Sequence, residues 1–146
     1  MKQRTRILCL IAALAAALTA GSVQPARAQL SVDGGVFDTH GTGEVGGLVS
    51  LQVFKTPVLP LAVEVTAAKP FAPQGFAATA DARFTIGATT FGGGIGFGDL
   101  GKPGGYDGMY DVLIAQKLIP HLGIEARIWM GGRRPSSGFI GLRASL

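Results

Sequence analysis

The chain has 146 residues, of which 13 are Lys or Arg and 9 are Asp or Glu, so its formal net charge is +4 at pH 7. This length suits one domain, and a single cysteine excludes an internal disulfide framework. The 23 glycines and the lack of helical periodicity favour an all-β protein. Regular alternation of apolar residues argues against disorder.

The first 28 residues have the organisation of a cleaved secretory signal peptide. A basic start is followed by an apolar run from Ile7 to about Ala20 and by the small-residue motif Ala26-Arg27-Ala28. The apolar run is shorter than the roughly 20 residues of a spanning helix. We therefore expect residues 1–28 to be removed and residues 29–146 to form one exported domain.

Removal of this segment changes what the composition implies. It takes away Cys9 and four basic residues, and it leaves 9 basic and 9 acidic residues among 118. The mature domain is then neutral, so the basic excess gives no argument for a nucleic-acid partner. The domain also has no cysteine for a disulfide in an oxidising compartment.

Eight segments with period-2 alternation follow, separated by turns rich in Gly, Pro and Asp. Each is about 9 to 12 residues long, longer than the usual globular strand and matched to a tilted strand that crosses a bilayer. In chain order the predicted strands span residues 30–38, 44–54, 59–68, 76–87, 90–98, 106–117, 121–130 and 137–146.

The connections between these strands alternate in size. DTHGTGE, AKPFAPQG, GDLGKPGGYD and GGRRPSS follow the odd-numbered strands, whereas the shorter KTPV, GATT and KLIPH follow the even-numbered ones. Long loops at one end and short turns at the other are typical of outer-membrane barrels, which keep the short turns on the periplasmic side.

The two faces of the predicted strands differ in chemistry. In LGIEARIWM, residues 122–130, the even positions are apolar and the odd ones carry Glu125, Arg127 and Trp129. A soluble strand would expose the charges to water, whereas a membrane barrel would point them inward. The charged face of the chain, to which we also assign Asp33, holds Glu64, Asp81, Arg83, Asp111, Glu125, Arg127 and Arg143.

Three features favour the inward orientation of these charges. The basic residues within strands are arginines, which suit buried ion pairs, whereas Lys55, Lys69, Lys102 and Lys117 lie in or beside turns. Acids and bases on this face nearly balance, as desolvated charges must. Bulky apolar residues share the face, for example Leu113 beside Asp111.

The fifth predicted strand, TFGGGIGFG, places Gly92, Gly94, Gly96 and Gly98 opposite an apolar face. Such a stripe leaves room for an Arg or Trp side chain that reaches across a narrow barrel, or it serves local curvature.

With these features the mature chain resembles the small eight-stranded outer-membrane barrels of the OmpA and OmpX type. The carboxyl end, GFIGLRASL, alternates to the last residue as in that family, although it ends in Leu146 where the family's assembly signal typically has an aromatic residue. The resemblance implies an up-and-down transmembrane β-barrel in a diderm bacterium, with a polar interior network. It implies outer-membrane lipid and the barrel insertion machinery as partners, and roles in envelope integrity, adhesion or, in some branches, lipid modification.

No motif specifies a cofactor, a metal or a catalytic centre. GFGDLGKP, residues 96–103, matches glycine-rich phosphate-binding patterns, but Pro103 and two glycines follow where a helix would have to begin. A lipid-modifying hydrolase could pair His40 with Ser136 or Ser137 and with Asp38. A polar loop histidine is the simpler interpretation of His40.

We therefore expect an outer-membrane barrel without catalytic activity, with a structural or surface-interaction role, a closed polar interior and no open pore. Two alternatives stay open. One is a secreted or periplasmic soluble barrel or sandwich that binds an apolar ligand, and the other is a barrel enzyme that modifies envelope lipid.

Overall fold

A computed structural model describes residues 29–39, 41–56, 59–71, 75–100, 107–131 and 134–146. The predicted signal peptide, residues 1–28, lies outside the described residues. The described chain forms eight strands. They are β1 (Gln29–Thr39), β2 (Thr42–Lys55), β3 (Leu61–Pro70), β4 (Ala77–Ile86), β5 (Thr89–Gly98), β6 (Asp107–Ile119), β7 (Leu122–Gly131) and β8 (Arg134–Ser145).

The strands close into a barrel in which each pairs antiparallel with its chain neighbours and β1 pairs with β8. This confirms the prediction of an all-β, eight-stranded up-and-down barrel. Within the described residues, no helix is long and apolar enough to cross a membrane.

The contrast between long and short connections is weaker than predicted. Thr39 pairs with Thr42, so β1 and β2 extend through most of the predicted loop DTHGTGE. β8 begins at Arg134, three residues before the predicted start, and Gly131 pairs with it. Conversely β3 begins only at Leu61, because the preceding Pro60 has no N–H to donate to the ladder.

Strand β2 contains a bulge that the sequence pattern does not reveal. The register shifts between Gln52 and Phe54, so that Phe54 takes the place opposite Val63 that strict alternation would assign to Val53. Beyond the bulge Lys55 pairs with Ala62. Because Ala62 alternates with the inward Glu64, Lys55 also lies at an inward register position.

We call the end of the barrel with the connections after β2, β4 and β6 the lower end, and the opposite end the upper end. Gln29 and Leu146 also lie at the lower end. The outer face carries exposed aliphatic and aromatic side chains, such as Val45 (62% exposed), Ile95 (56%) and Ile140 (60%). The interior has an apolar layer near the upper end, charged residues in the middle and a cavity at the lower end.

Candidate functional site

The residues predicted to form an interior charge network come together in the middle of the barrel. They lie on five strands, β3, β4, β6, β7 and β8, at positions that alternate with the exposed apolar face. Asp33 of β1 joins them. Glu125 is fully buried and Arg127 is 1% exposed. We use the term ion network for Asp33, Glu64, Asp81, Arg83, Asp111, Glu125, Arg127 and Arg143.

Arg127 is the centre of the upper part of the ion network. Its Nη1 donates to Asp81 Oδ2 at 2.9 Å and to Asp111 Oδ2 at 2.7 Å. The same nitrogen donates to Thr79 Oγ1 at 3.0 Å, and Nη2 donates to Glu125 Oε1 at 3.1 Å. One guanidinium thus joins strands β4, β6 and β7 from inside.

Glu125 links this group to two further arginines in the lower part of the ion network. Its Oε2 accepts from Arg83 Nη1 at 3.0 Å and from Arg143 Nη1 at 2.7 Å. Glu64 binds the same two arginines, with Oε1 2.8 Å from Arg83 Nη2 and Oε2 2.7 Å from Arg143 Nη2. These charge-assisted contacts pair groups that would otherwise be buried at high cost, although Glu64 Oε1 forms an ion pair and no hydrogen bond among the described residues.

The ion network contains more acid than base. It has five carboxyl groups and three guanidinium groups, whereas the sequence pattern indicated a near balance. Asp33 is 3.6 Å from Arg143 Nη1 through Oδ2. Among the described residues, the two carboxylate oxygens of Asp33 and Oδ1 of both Asp81 and Asp111 are buried without a hydrogen-bond partner.

An apolar layer of buried side chains lies above the ion network. Trp129 is 2% exposed and stacks on Phe37, with ring centroids 5.8 Å apart and planes inclined by 12°. Phe139 also packs against Phe37, with ring centroids 4.8 Å apart. The Arg127 guanidinium carbon lies 5.7 Å from the Trp129 ring centre, which joins the two layers by a cation–π contact. The interior therefore holds the one tryptophan of the chain.

The glycine stripe of β5 allows close approach of the backbone of residues 76–82, and at Gly92 and Gly94 it also gives space to side chains of the neighbouring strands. A Cβ atom at Gly94 would collide with Asp81 Oδ1 and lie 2.8 Å from Asp111 Oδ1. A Cβ atom at Gly92 would lie 3.0 Å from Leu113 Cγ. Arg127 reaches both carboxylates beside Gly94, so the space serves the ion network.

Below the ion network a cavity of about 520 Å³ opens at the lower end. Glu64, Arg83 and Arg143 line it on the side of the ion network, and Lys55 and Lys117 line it near the turns. The sequence pattern placed both lysines in or beside turns and missed their role in the cavity. Lys117 could have been found, since it shares the odd positions of Asp111, whereas the β2 bulge hid Lys55.

Two other kinds of site are the hydrolase pairing of His40 and a group of metal-binding side chains. His40, and with it the predicted pairing with Asp38 and a serine, lies outside the described residues. Asp38 Oδ1 accepts a hydrogen bond from Gly41 N at 2.8 Å, and Ser137 is buried. Within the described part of the chain, no three His, Cys, Asp or Glu side chains are grouped to hold a metal ion.

Comparison with known proteins finds similar structures at low sequence identity. No protein-family profile matches the chain, and no curated protein matches it. The solution structure of the de novo designed TMB2.3 superimposes with a TM-score of 0.56 at 11% identity, covering 86% of this chain and 98% of that one. The Yersinia pestis outer membrane protein Ail, in a phospholipid bilayer nanodisc, gives 0.55 at 13% identity, with 82% and 100% covered. The chain thus shares the eight-stranded barrel fold of small transmembrane barrels.

Proposed function

We propose that this protein is an outer-membrane β-barrel without catalytic activity, which serves a structural or surface-interaction role and has no open pore. The observation that carries the proposal is the inverted distribution of polarity. The outer face is apolar and exposed, while the charged side chains of the strands meet inside. A surrounding lipid phase makes this arrangement favourable, which supports the proposal.

The continuity of the exposed apolar face also supports a membrane environment. Large apolar side chains that are about half exposed occur on every strand, for example Val36, Val65, Phe84 and Ile128. Monomeric soluble proteins rarely expose contiguous apolar patches larger than a few hundred Å². A membrane would cover this surface and would make outer-membrane lipid the main partner of the barrel, with the insertion machinery required for its assembly.

The interior supports a closed barrel. The apolar layer around Phe37, Trp129 and Phe139 fills the space near the upper end. Below it Arg127 binds carboxylates from three strands. Such an interior also disfavours the alternative of a soluble barrel with an apolar ligand inside, because the central positions are charged.

Cell fractionation tests the proposal. We expect the protein in the outer-membrane fraction after carbonate washing, with faster gel mobility before heating than after it, as a closed barrel resists detergent. A matched sample of a periplasmic protein from the same cells provides the control. Recovery of the folded chain in the soluble periplasm would contradict membrane insertion and would favour the soluble alternative.

A further inference from the structure

The cavity at the lower end contains two similar rows of residues on different parts of the barrel wall. In the first row Lys55 of β2 and Arg83 of β4 are both paired with Ala62 of β3. Neighbouring strands lie about 4.8 Å apart. One strand therefore separates the two basic residues, and at this position it carries only the methyl group of Ala62. The β2 bulge creates this row, because it turns Lys55 to the inward position.

The second row has the same composition. Lys117 of β6 and Arg143 of β8 are both paired with Gly123 of β7. The middle residue again leaves space between a lysine and an arginine. All six residues of the two rows line the cavity.

Basic side chains outnumber acidic ones among the residues that line the cavity. The wall carries four basic side chains, those of Lys55, Lys117, Arg83 and Arg143. Glu64 is the one acid among the described residues that line the cavity. Glu64 is 4% exposed and already binds both arginines. The lysines are exposed, so their charges are available at the mouth.

Arg83 lies at the boundary between the cavity and the ion network. Its side chain is 6% exposed, and its Nε is buried without a hydrogen-bond partner among the described residues. That nitrogen is not accessible from the cavity, so Arg83 contributes its positive charge to the wall and not a free N–H. The neutral polar side chains of Gln52, Ser31 and Thr85 add further donors to the wall.

We propose that the cavity is a binding site for a small oxyanion, a molecule with a phosphate or carboxylate group, which enters from the lower end. Lys55 and Lys117 attract the anion at the mouth, and the arginines face its oxygens. The apolar layer near the upper end leaves the lower end as the entrance. The site is separate from the proposed structural role of the barrel, and it would exist whether or not the barrel has a surface partner.

Titration of the folded, isotope-labelled protein in detergent micelles tests the site, with backbone amide NMR shifts as the readout. Inorganic phosphate and citrate are the probes, and sodium chloride at equal ionic strength is the reference. We expect saturable shifts at Gly123 and at residues around Lys55 with phosphate, citrate or both. The more effective probe identifies the chemical group that is recognised. Shifts that match those with chloride would overturn the proposal.

Lysine variants test the position of the site. We expect Lys55→Gln together with Lys117→Gln to weaken binding about tenfold, since each exposed ion pair contributes up to about fivefold. Lys69→Gln is the matched control, because Lys69 is exposed on β3 towards the upper end and should leave affinity unchanged. Heat-modifiable gel mobility shows whether each variant is folded. Equal weakening by the control, or unchanged affinity in the folded double variant, would also overturn the proposal.

Discussion

Arg127 is the residue on which most of the interior contacts depend. It is 1% exposed, and it forms ion pairs with Asp81, Asp111 and Glu125. Buried ion pairs often contribute little net stability, but removal of one partner leaves an uncompensated charge in a medium of low dielectric constant. The three carboxylates around Arg127 make this second effect large.

We therefore expect Arg127→Ala to lower the free energy of unfolding by about 3 to 5 kcal/mol. The measurement is the urea midpoint of the barrel refolded in phospholipid vesicles. Lys69→Ala, which removes an exposed charge, should leave the midpoint unchanged. If Arg127→Ala also left it unchanged, the charged face would have to be in contact with water.

At the scale of the element, β7 shows how one strand serves two environments. Its even residues Ile124 and Ile128 are exposed on the outer face. Its odd residues Glu125, Arg127 and Trp129 are buried inside. Alternation along a single strand thus separates the exposed apolar surface from the ion network and the apolar layer.

This arrangement predicts that the fluorescence of Trp129 is shielded from lipid as well as from water. We expect weak quenching both by acrylamide and by phospholipids with brominated acyl chains, because the ring lies beside Phe37 in the interior. The matched control moves the indole by one position, with Ile128→Trp in a Trp129→Phe background. That variant should be quenched strongly by the brominated lipid. Strong lipid quenching of Trp129 itself would mean that β7 has the opposite orientation.

The strands and their two faces could be predicted from the sequence, because alternation depends only on local geometry. Glu125 and Arg127 are two residues apart, so both share a face of any regular β-strand. Their partners could not be predicted, since the meeting of Arg127 with Asp81 depends on how strands β4 and β7 are staggered around the closed barrel. The β2 bulge was equally hidden, because nothing in the pattern around Val53 distinguishes a bulge from continued alternation.

At the scale of the whole molecule, the outward residues of one strand lie at different depths in the proposed membrane. Val112 lies near the middle of β6 beside Asp111 of the ion network and is 54% exposed. Leu118 belongs to the same strand near the lower end and is 51% exposed. Their exposure to solvent is thus similar, but their expected depth in a bilayer differs.

We expect Val112→Arg to destabilise the barrel in phospholipid vesicles by about 2 to 4 kcal/mol, and Leu118→Arg by about 0 to 1 kcal/mol. The physical reason is that the cost of a lipid-facing guanidinium group falls from the bilayer centre to its surface. Urea titration of both variants measures the difference. Equal and small effects at the two positions would contradict a lipid environment, since a soluble barrel would tolerate both.

The pairing of β1 with β8 also constrains the order in which the barrel folds. It joins Ser31 to Ser145, which are 114 positions apart in the chain, and contacts between such distant residues form late because the entropy cost of loop closure must be met first. Arg143 lies on β8 and binds Glu64, 79 positions earlier. Until β8 docks, Glu64 and Glu125 each lack one of their guanidinium partners. Closure of the last seam thus also completes the charge pairing, which disfavours half-open intermediates and makes assembly cooperative.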